Sequence, residues 1–261
     1  MNQVKTGTVI IAVRTKEGHV ILASDTALTI GESARVSGIK ITNKKGILIG
    51  SAGVGYLSQL FEDEVEENAE EIINQQTINE MKFKIWECFI RVKTRAIELL
   101  GAEMEEIPIN EIFLNSILIL KHNDEIKILE MDSDGGLVEF SDFIAVGSSD
   151  KVFPLAKILF KKPLKLENAL KAVYLIINSV SKTDPYVDGM DIWLYKKDGE
   201  IKHFSRREIK EIAREASRLE KEIWKLVYAE REMKTEKEKF EIREKVYEEK
   251  FKPIPNRVIG S

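Results

Sequence analysis

Residues 1–13 read MNQVKTGTVIIAV, and residues 18–31 read GHVILASDTALTIG. A short polar leader gives way at Gly7 and Thr8 to an unbroken apolar run. A β-branched residue suits the start of a strand, so Thr8 fits ordinary sheet material. It equally fits a nucleophile that becomes the chain terminus once the bond before it is cut. The runs TVIIAV (8–13) and HVILAS (19–24) flank RTKEG (14–18), a polar turn with a glycine. This arrangement predicts an antiparallel hairpin.

Working outward, two more short strands are expected around RVSGIKI (35–41) and GILIGSAG (46–53). Leu57, Leu60, Phe61, Val65, Ala69, Ile72 and Ile73 recur at helical spacing and predict one helix over 57–73. Ile78, Met81, Ile85, Phe89, Val92, Ala96 and Leu99 predict a second, opened by a capping box of Thr77 and Glu80. IFLNSILIL (112–120) and EIKILEM (125–131) bracket HND and read as another hairpin. The turn DSDGG (132–136) precedes LVEFSDFIAVGSS (137–149), two helical patterns over 151–160 and 166–180, and last strands MDIWLY and EIKHF joined by KKDG. Strands, two helices, strands, two helices, strands is an order suited to antiparallel sheets with helices on their outer faces, an α+β domain. From residue 205 to 252 the chain is charged and free of Gly and Pro. Its first half has an apolar face, whereas its second half is rich in Glu and Lys at i,i+4 spacing.

The chain has 261 residues, enough for one large domain with an appendage. Its 40 Lys+Arg against 44 Asp+Glu give a net charge of −4, with no basic excess to suggest a nucleic-acid partner. One cysteine, Cys88, excludes an intramolecular disulfide and a cysteine-based zinc site. A reducing cytoplasm is the expected location, no membrane partner is expected, and the leader lacks the apolar centre of a secretory signal. His19, His122 and His203 show no metal-ligand spacing, and DSDGG lacks the glutamate of a calcium loop. No cofactor and no metal are expected.

The order of motifs from Thr8 to Tyr195 resembles a proteasome β-type subunit, with the related HslV and Anbu peptidases, members of the N-terminal nucleophile (Ntn) hydrolase superfamily. TVIIAV carries Ala12 where that family has a small residue, LASD supplies an acid at Asp25, and GIKI supplies Lys40. SAG ends in Gly53 before a helix, and Gly147-Ser148 opens the third helix. The resemblance implies a four-layer αββα sandwich with a helical C-terminal extension, divided as leader 1–7, Ntn-hydrolase domain 8–204 and extension 205–261. It further implies a threonine-type endopeptidase, autoprocessed before Thr8. Thr6 in T-G-T competes for that position, but starting there places Ile10 where the small residue belongs. Gly7 also crowds an attacking hydroxyl least.

A threonine hydroxyl needs a base, and the α-amine exposed by cleavage, with an ordinary pKa of about 7.7–8.0, can serve. By the resemblance, Lys40 adds positive charge at the site, Asp25 fixes Lys40, and the Gly53 N–H faces the oxyanion of the tetrahedral intermediate. Ser148 and Asp184 support the amine. In TDPYVDGMDIW, however, Val187 stands where the family has a serine, and Asp188 is the residue that could substitute as an acceptor. That departure favours two competing readings. One is a catalytically silent proteasome-like structural subunit, and the other is a narrower amide-bond enzyme, an amidohydrolase or peptide ligase, using the same threonine. Leu28 and Gly38 are expected near the first specificity pocket. The expected partners are further copies of the chain in a ring or other homo-oligomer, a peptide or unfolded-protein substrate, and an ATPase unfoldase.

Overall fold

A computed structural model describes residues 7–30, 34–103 and 114–232. In chain order the strands are β1 (Val9–Arg14), β2 (Val20–Ser24), β3 (Ala27–Ile30), β4 (Ala34–Ser37), β5 (Ile41–Lys44) and β6 (Ile47–Gly53). Helices α1 (Gly55–Glu67), α2 (Ala69–Ile73) and α3 (Ile78–Glu103) follow. Then come β7 (Leu114–His122), β8 (Glu125–Met131), β9 (Leu137–Phe140), β10 (Phe143–Gly147), α4 (Ser149–Leu159) and α5 (Leu166–Ser181). The described part closes with β11 (Asp191–Tyr195), β12 (Ile201–His203) and α6 (Arg206–Glu232).

Two antiparallel five-stranded sheets run β10-β1-β2-β11-β12 and β5-β6-β7-β8-β9. The predicted first hairpin forms, with Ile10 opposite Ser24 and Arg14 opposite Val20. Its strands carry unbroken apolar runs because both of their faces are covered. Val9, Ile11, Val13, Ile21 and Ala23 pack with Val152, Val173 and Ile176 of α4 and α5. Ile10, Ala12, Val20 and Leu22 turn the other way, onto Ile41, Leu48, Ile117 and Ile119 of the second sheet. That sheet's outer face, with Ile49, Leu118 and Leu129, is covered by Phe61, Ile72, Ile85 and Val92 of α1 to α3.

The structure corrects the helix expected over 57–73, which is two helices interrupted at Asn68 (φ −100°, ψ 7°). The Asn68 side-chain amide donates to the Glu64 carbonyl at 2.7 Å, a local bond that competes with helix continuation. The capping box forms: Glu80 accepts from Thr77 N at 2.9 Å, and Glu80 N donates to Thr77 Oγ1 at 3.2 Å. The strand expected over 35–41 is also divided. Residues 34–37 pair with β3 as a separate two-stranded ribbon, whereas 41–44 join β6. The division falls at Gly38, whose N–H donates to Thr26 O at 2.8 Å while Leu28 packs over it. A Cβ at Gly38 would lie 1.9 Å from Leu28 Cδ1.

Between β9 and β10 the chain passes from one sheet to the other, and Arg14 fastens the corner by donating to Ser141 O at 2.7 Å and Ile126 O at 2.6 Å. The first part of the expected C-terminal helix is α6. Its Ile209 and Ile212 pack against the α4–α5 side of the core, Ala216 is buried, and Glu220 and Glu215 reach Lys182 and Lys171 at 2.7 and 3.1 Å. Residues 233–252 of that expected helix, Thr6 and the rest of the leader through residue 6, and Ile112 and Phe113 lie outside the described residues. Among the described residues no helix is long and apolar enough to cross a membrane.

Candidate active site

Thr8 stands immediately before β1, where β10 ends beside it. Its carbonyl accepts from Ser148 N at 2.7 Å. The approach requires glycine at 147, which has φ +83° and where a Cβ would lie 2.0 Å from Thr8 O. The Thr8 side chain belongs to the face of β1 that turns toward the second sheet, and there its Oγ1 accepts from Lys40 Nζ at 3.1 Å.

Lys40 reaches that point because it precedes β5 and its carbonyl accepts from Ser51 N at 3.1 Å, tying it to β6. Its ammonium also donates to both oxygens of Asp25 at 2.8 Å. Asp25, just past β2, accepts in addition from Val9 N at 2.8 Å and Ala27 N at 3.1 Å. Asp25 and Lys40 are the two stems of the β3–β4 ribbon, so this ion pair joins the end of β2, the central strand of the first sheet, to the start of β5, an edge strand of the second. The pair is dry: Asp25 is 0% and Lys40 5% exposed. Burial pushes the Asp25 carboxyl up and the Lys40 ammonium down, each toward neutrality, against their mutual attraction and hydrogen bonds.

Ser148 occupies the N-cap position of α4 but makes no side-chain capping bond. Its hydroxyl instead bonds Asp184. Asp184, 4% exposed, also accepts from Tyr186 N at 2.9 Å and Lys151 Nζ at 2.6 Å. Burial acts to raise the Asp184 carboxyl, but Lys151, the Tyr186 N–H and Ser148 outweigh it and hold the group below its usual range. Gly53 ends β6 at φ +140°, two residues beyond the Ser51 that binds Lys40, and therefore at the same end of the sheet.

Asp188 reaches the site by its backbone. Its carbonyl accepts from Thr26 N at 2.8 Å and Ala27 N at 3.1 Å, while its exposed carboxylate accepts from Gly189 N at 2.7 Å. Val187, 2% exposed, packs into the α4–α5 cluster. Thr8, Asp25 and Lys40 are thus bonded together, and Ser148 and Asp184 are joined to them through the Thr8 carbonyl. Two residues the sequence did not single out complete the surroundings. Lys151 lies three residues past Ser148, a spacing that puts both on one side of a helix turn. Tyr186 packs so closely on Gly7 that a Cβ there would lie 1.9 Å from Tyr186 Cβ.

The histidines are bonded elsewhere: His122 to Gln75 O, His19 to Lys197 N and His203 to Asp191. Among the described residues no group of three or more His, Cys, Asp or Glu side chains is placed to hold a metal ion.

No protein-family model matches the sequence. No curated protein matches it either. Solved structures do match. Anbu from Yersinia bercovieri, described as an ancestral beta-subunit, superposes with a TM-score of 0.67 at 15% identity, over 83% of this chain and 96% of that one. A mutant of Anbu from Hyphomicrobium sp. strain MC1 gives 0.65 at 15% identity, over 84% and 96%. A further structure of the Hyphomicrobium protein gives 0.65 at 14% identity, over 83% and 97%. The likeness runs through nearly the whole of each Anbu chain, and at this identity it is a likeness of fold: the chain folds as Anbu does.

Proposed function

We propose that the protein is a proteasome-like threonine peptidase of the N-terminal nucleophile class, built as a four-layer αββα sandwich with α6 beginning its extension. The single observation that carries this reading is the bonded line from Thr8 Oγ1 through Lys40 Nζ to Asp25, between the strand ends of one sheet and the start of β5 in the other. The division of the core into a central cluster and two outer ones supports the four-layer arrangement.

In the uncut chain Thr8 has no free amine, so its hydroxyl proton goes to Lys40, whose burial favours the neutral base. The Thr8 oxygen attacks the Gly7 carbonyl carbon, the Gly7–Thr8 amide breaks to an ester, and the proton passes to the departing nitrogen. Water then hydrolyses the ester, leaving a Gly7 carboxylate and a free Thr8 amine. In turnover this amine takes the hydroxyl proton as Thr8 attacks a peptide carbonyl, then gives it to the departing amine as the peptide C–N bond breaks and leaves an ester on Thr8. The Gly53 N–H faces the developing oxyanion, and water releases the acyl group. Asp25 keeps Lys40 in place, while Ser148 and Asp184 orient the amine. The protein works in the cytoplasm on peptides or unfolded chains, as a ring or other homo-oligomer served by an ATPase unfoldase.

The test is intact mass and peptide hydrolysis on wild type and Thr8→Ala. Wild type is expected to begin at Thr8, and Thr8→Ala to keep its leader and lose turnover. A wild-type chain that hydrolyses peptides while uncut sinks this reading. The burial of Val187 where a serine is expected favours two other readings, a silent subunit and a narrower amidohydrolase or ligase on the same threonine. The first predicts an intact leader, and the second predicts non-hydrolytic or single-substrate products.

A further inference from the structure

Helix α3 carries two apolar stripes, and the fold of one chain uses one of them. Met81, Ile85, Val92 and Ala96 are buried against the second sheet. Phe83, Trp86, Ile90 and Ile97 lie off that face and are 56%, 39%, 36% and 41% exposed. The two aromatic rings of this second stripe stack on each other with centroids 5.6 Å apart, so they form one continuous surface. Successive steps of three, four and seven residues place all four at the a and d positions of a heptad, over about 21 Å of helix. A 3.5-residue period is the pattern by which one helix follows another along its length. Lys93 takes the remaining d position, and its ammonium is drawn to the Phe89 ring, 5.6 Å from the centroid. A polar residue at one such position costs some stability and favours a single register.

We propose that this stripe is the contact surface for a second copy of the chain, paired α3 to α3 about a two-fold axis parallel to the helices. The pairing rests on the homo-oligomeric part of the proposed function and is independent of the Thr8 chemistry. Charge selects both the partner and the orientation. In the same heptads Lys82 falls at a g position and Glu80 and Glu87 at e positions, on opposite flanks of the stripe. Parallel helices bring each g residue beside the e residue five positions on in the partner, so Lys82 of each copy meets Glu87 of the other. Antiparallel helices would set e against e and crowd the glutamates together. Glu87 also pairs with Lys84 of its own helix at 3.0 Å, and a carboxylate has oxygens for both lysines. A stable interface takes about 800 Å² from each partner, with an apolar centre and a polar rim. The four apolar side chains supply such a centre, and Lys82 and Glu87 supply its rim.

The experiment is mass by analytical ultracentrifugation, with thermal melts, on wild type and four variants. Wild type should hold an even number of copies. Phe83→Glu combined with Ile90→Glu should lower the mass at least twofold while keeping a cooperative melt. Lys82→Glu alone and Glu87→Lys alone should each raise the concentration at which copies separate by about three- to tenfold, since two attractive pairs become repulsive. Combining Lys82→Glu with Glu87→Lys restores opposite charges across the pair and should recover the wild-type value, which a damaged fold could not do. An unchanged mass in the Phe83→Glu, Ile90→Glu variant, or a charge swap no better than its single changes, overturns the proposal. So does a monomeric wild type, and a lower Tm for its Phe83→Glu, Ile90→Glu variant would then assign the stripe to residues 233–261 of the same chain. Mass is read without turnover, so the two readings fail separately. A wild type that pairs through α3 but keeps its leader and hydrolyses nothing sinks the peptidase reading alone.

Discussion

Replacing Lys40 by methionine tests both the stability and the chemistry of the Thr8–Lys40–Asp25 line. The substitution keeps most of the side-chain length but removes two 2.8 Å bonds from a carboxylate that is 0% exposed. Breaking a buried ion pair by removing one partner costs about 3–5 kcal/mol. Asp25 keeps the N–H groups of Val9 and Ala27, which places the expected cost near 3 kcal/mol. For a chain of this size that lowers Tm by about 6–12 °C. The pH dependence has a definite sign. Burial already raises the Asp25 carboxyl, and losing Lys40 raises it further. A carboxyl with its folded pKa above the unfolded value stabilises the fold at low pH and loses that contribution as pH rises through the folded pKa. The deficit of Lys40→Met is therefore greatest at neutral pH and shrinks toward pH 5. Adding Asp25→Asn removes the stranded charge and should recover most of the lost Tm. Peptide turnover should fall by roughly 10²–10⁴-fold in both variants, because without Lys40 the cut that frees the Thr8 amine loses its base. A Tm loss under about 2 °C for Lys40→Met at neutral pH, or an equal loss in the double variant, would refute the reasoning.

Two further predictions concern the frame of the site and its extension. Gly147→Ala places a Cβ 2.0 Å from Thr8 O at a backbone with φ +83°, so it should displace Thr8 and reduce turnover at least tenfold, with a Tm loss in melting experiments. Truncation after Phe204 removes Ile209, Ile212 and Ala216 from the α5 side of the core and should cost about 2–4 kcal/mol in denaturant unfolding.

The hairpin at the start of the fold was legible because a strand covered on both faces has nowhere to place a polar residue, and TVIIAV and HVILAS contain none in their interiors. Asp25 and Lys40 were legible as positions, one past a strand end and one before a strand start. Their pairing was expected only from the family resemblance and not from the spacing, since it depends on the ribbon between them folding back. That ribbon escaped notice because TALTIG mixes small and apolar residues, and because the chain turns at Gly38 under a leucine ten residues away. The break at Asn68 was hidden by apolar spacing that continues across it. Lys151 and Asp188 were illegible in their roles for different reasons. Lys151 meets Asp184 across 33 residues of sequence, a contact that no local pattern encodes. Asp188 acts through its carbonyl, so its side-chain type says little about what it does.

The ion pair at the seam is a poor choice if stability alone is considered. Burial works against the charge on both partners, and apolar residues of similar volume would hold a seam at least as well. The neighbours show that such packing was available, since Ile41 beside Lys40 is fully buried in the inter-sheet cluster with Ile10 and Leu22. What apolar residues could not supply is an amine held 3.1 Å from a threonine hydroxyl and pressed toward its neutral form. The same logic governs the second support. Asp184 is buried, yet its carboxyl is held below the usual range because Lys151, the Tyr186 N–H and Ser148 outweigh that burial. One buried carboxylate therefore drifts up beside a lysine that drifts down and bonds the Thr8 hydroxyl, while the other is held low on the α4 side, where Ser148 N holds the Thr8 carbonyl. Under the proposed function, the Lys40 side of that pattern is what Thr8 needs if its hydroxyl is to lose a proton. A site that only joined sheets would have no reason to keep the two tendencies apart.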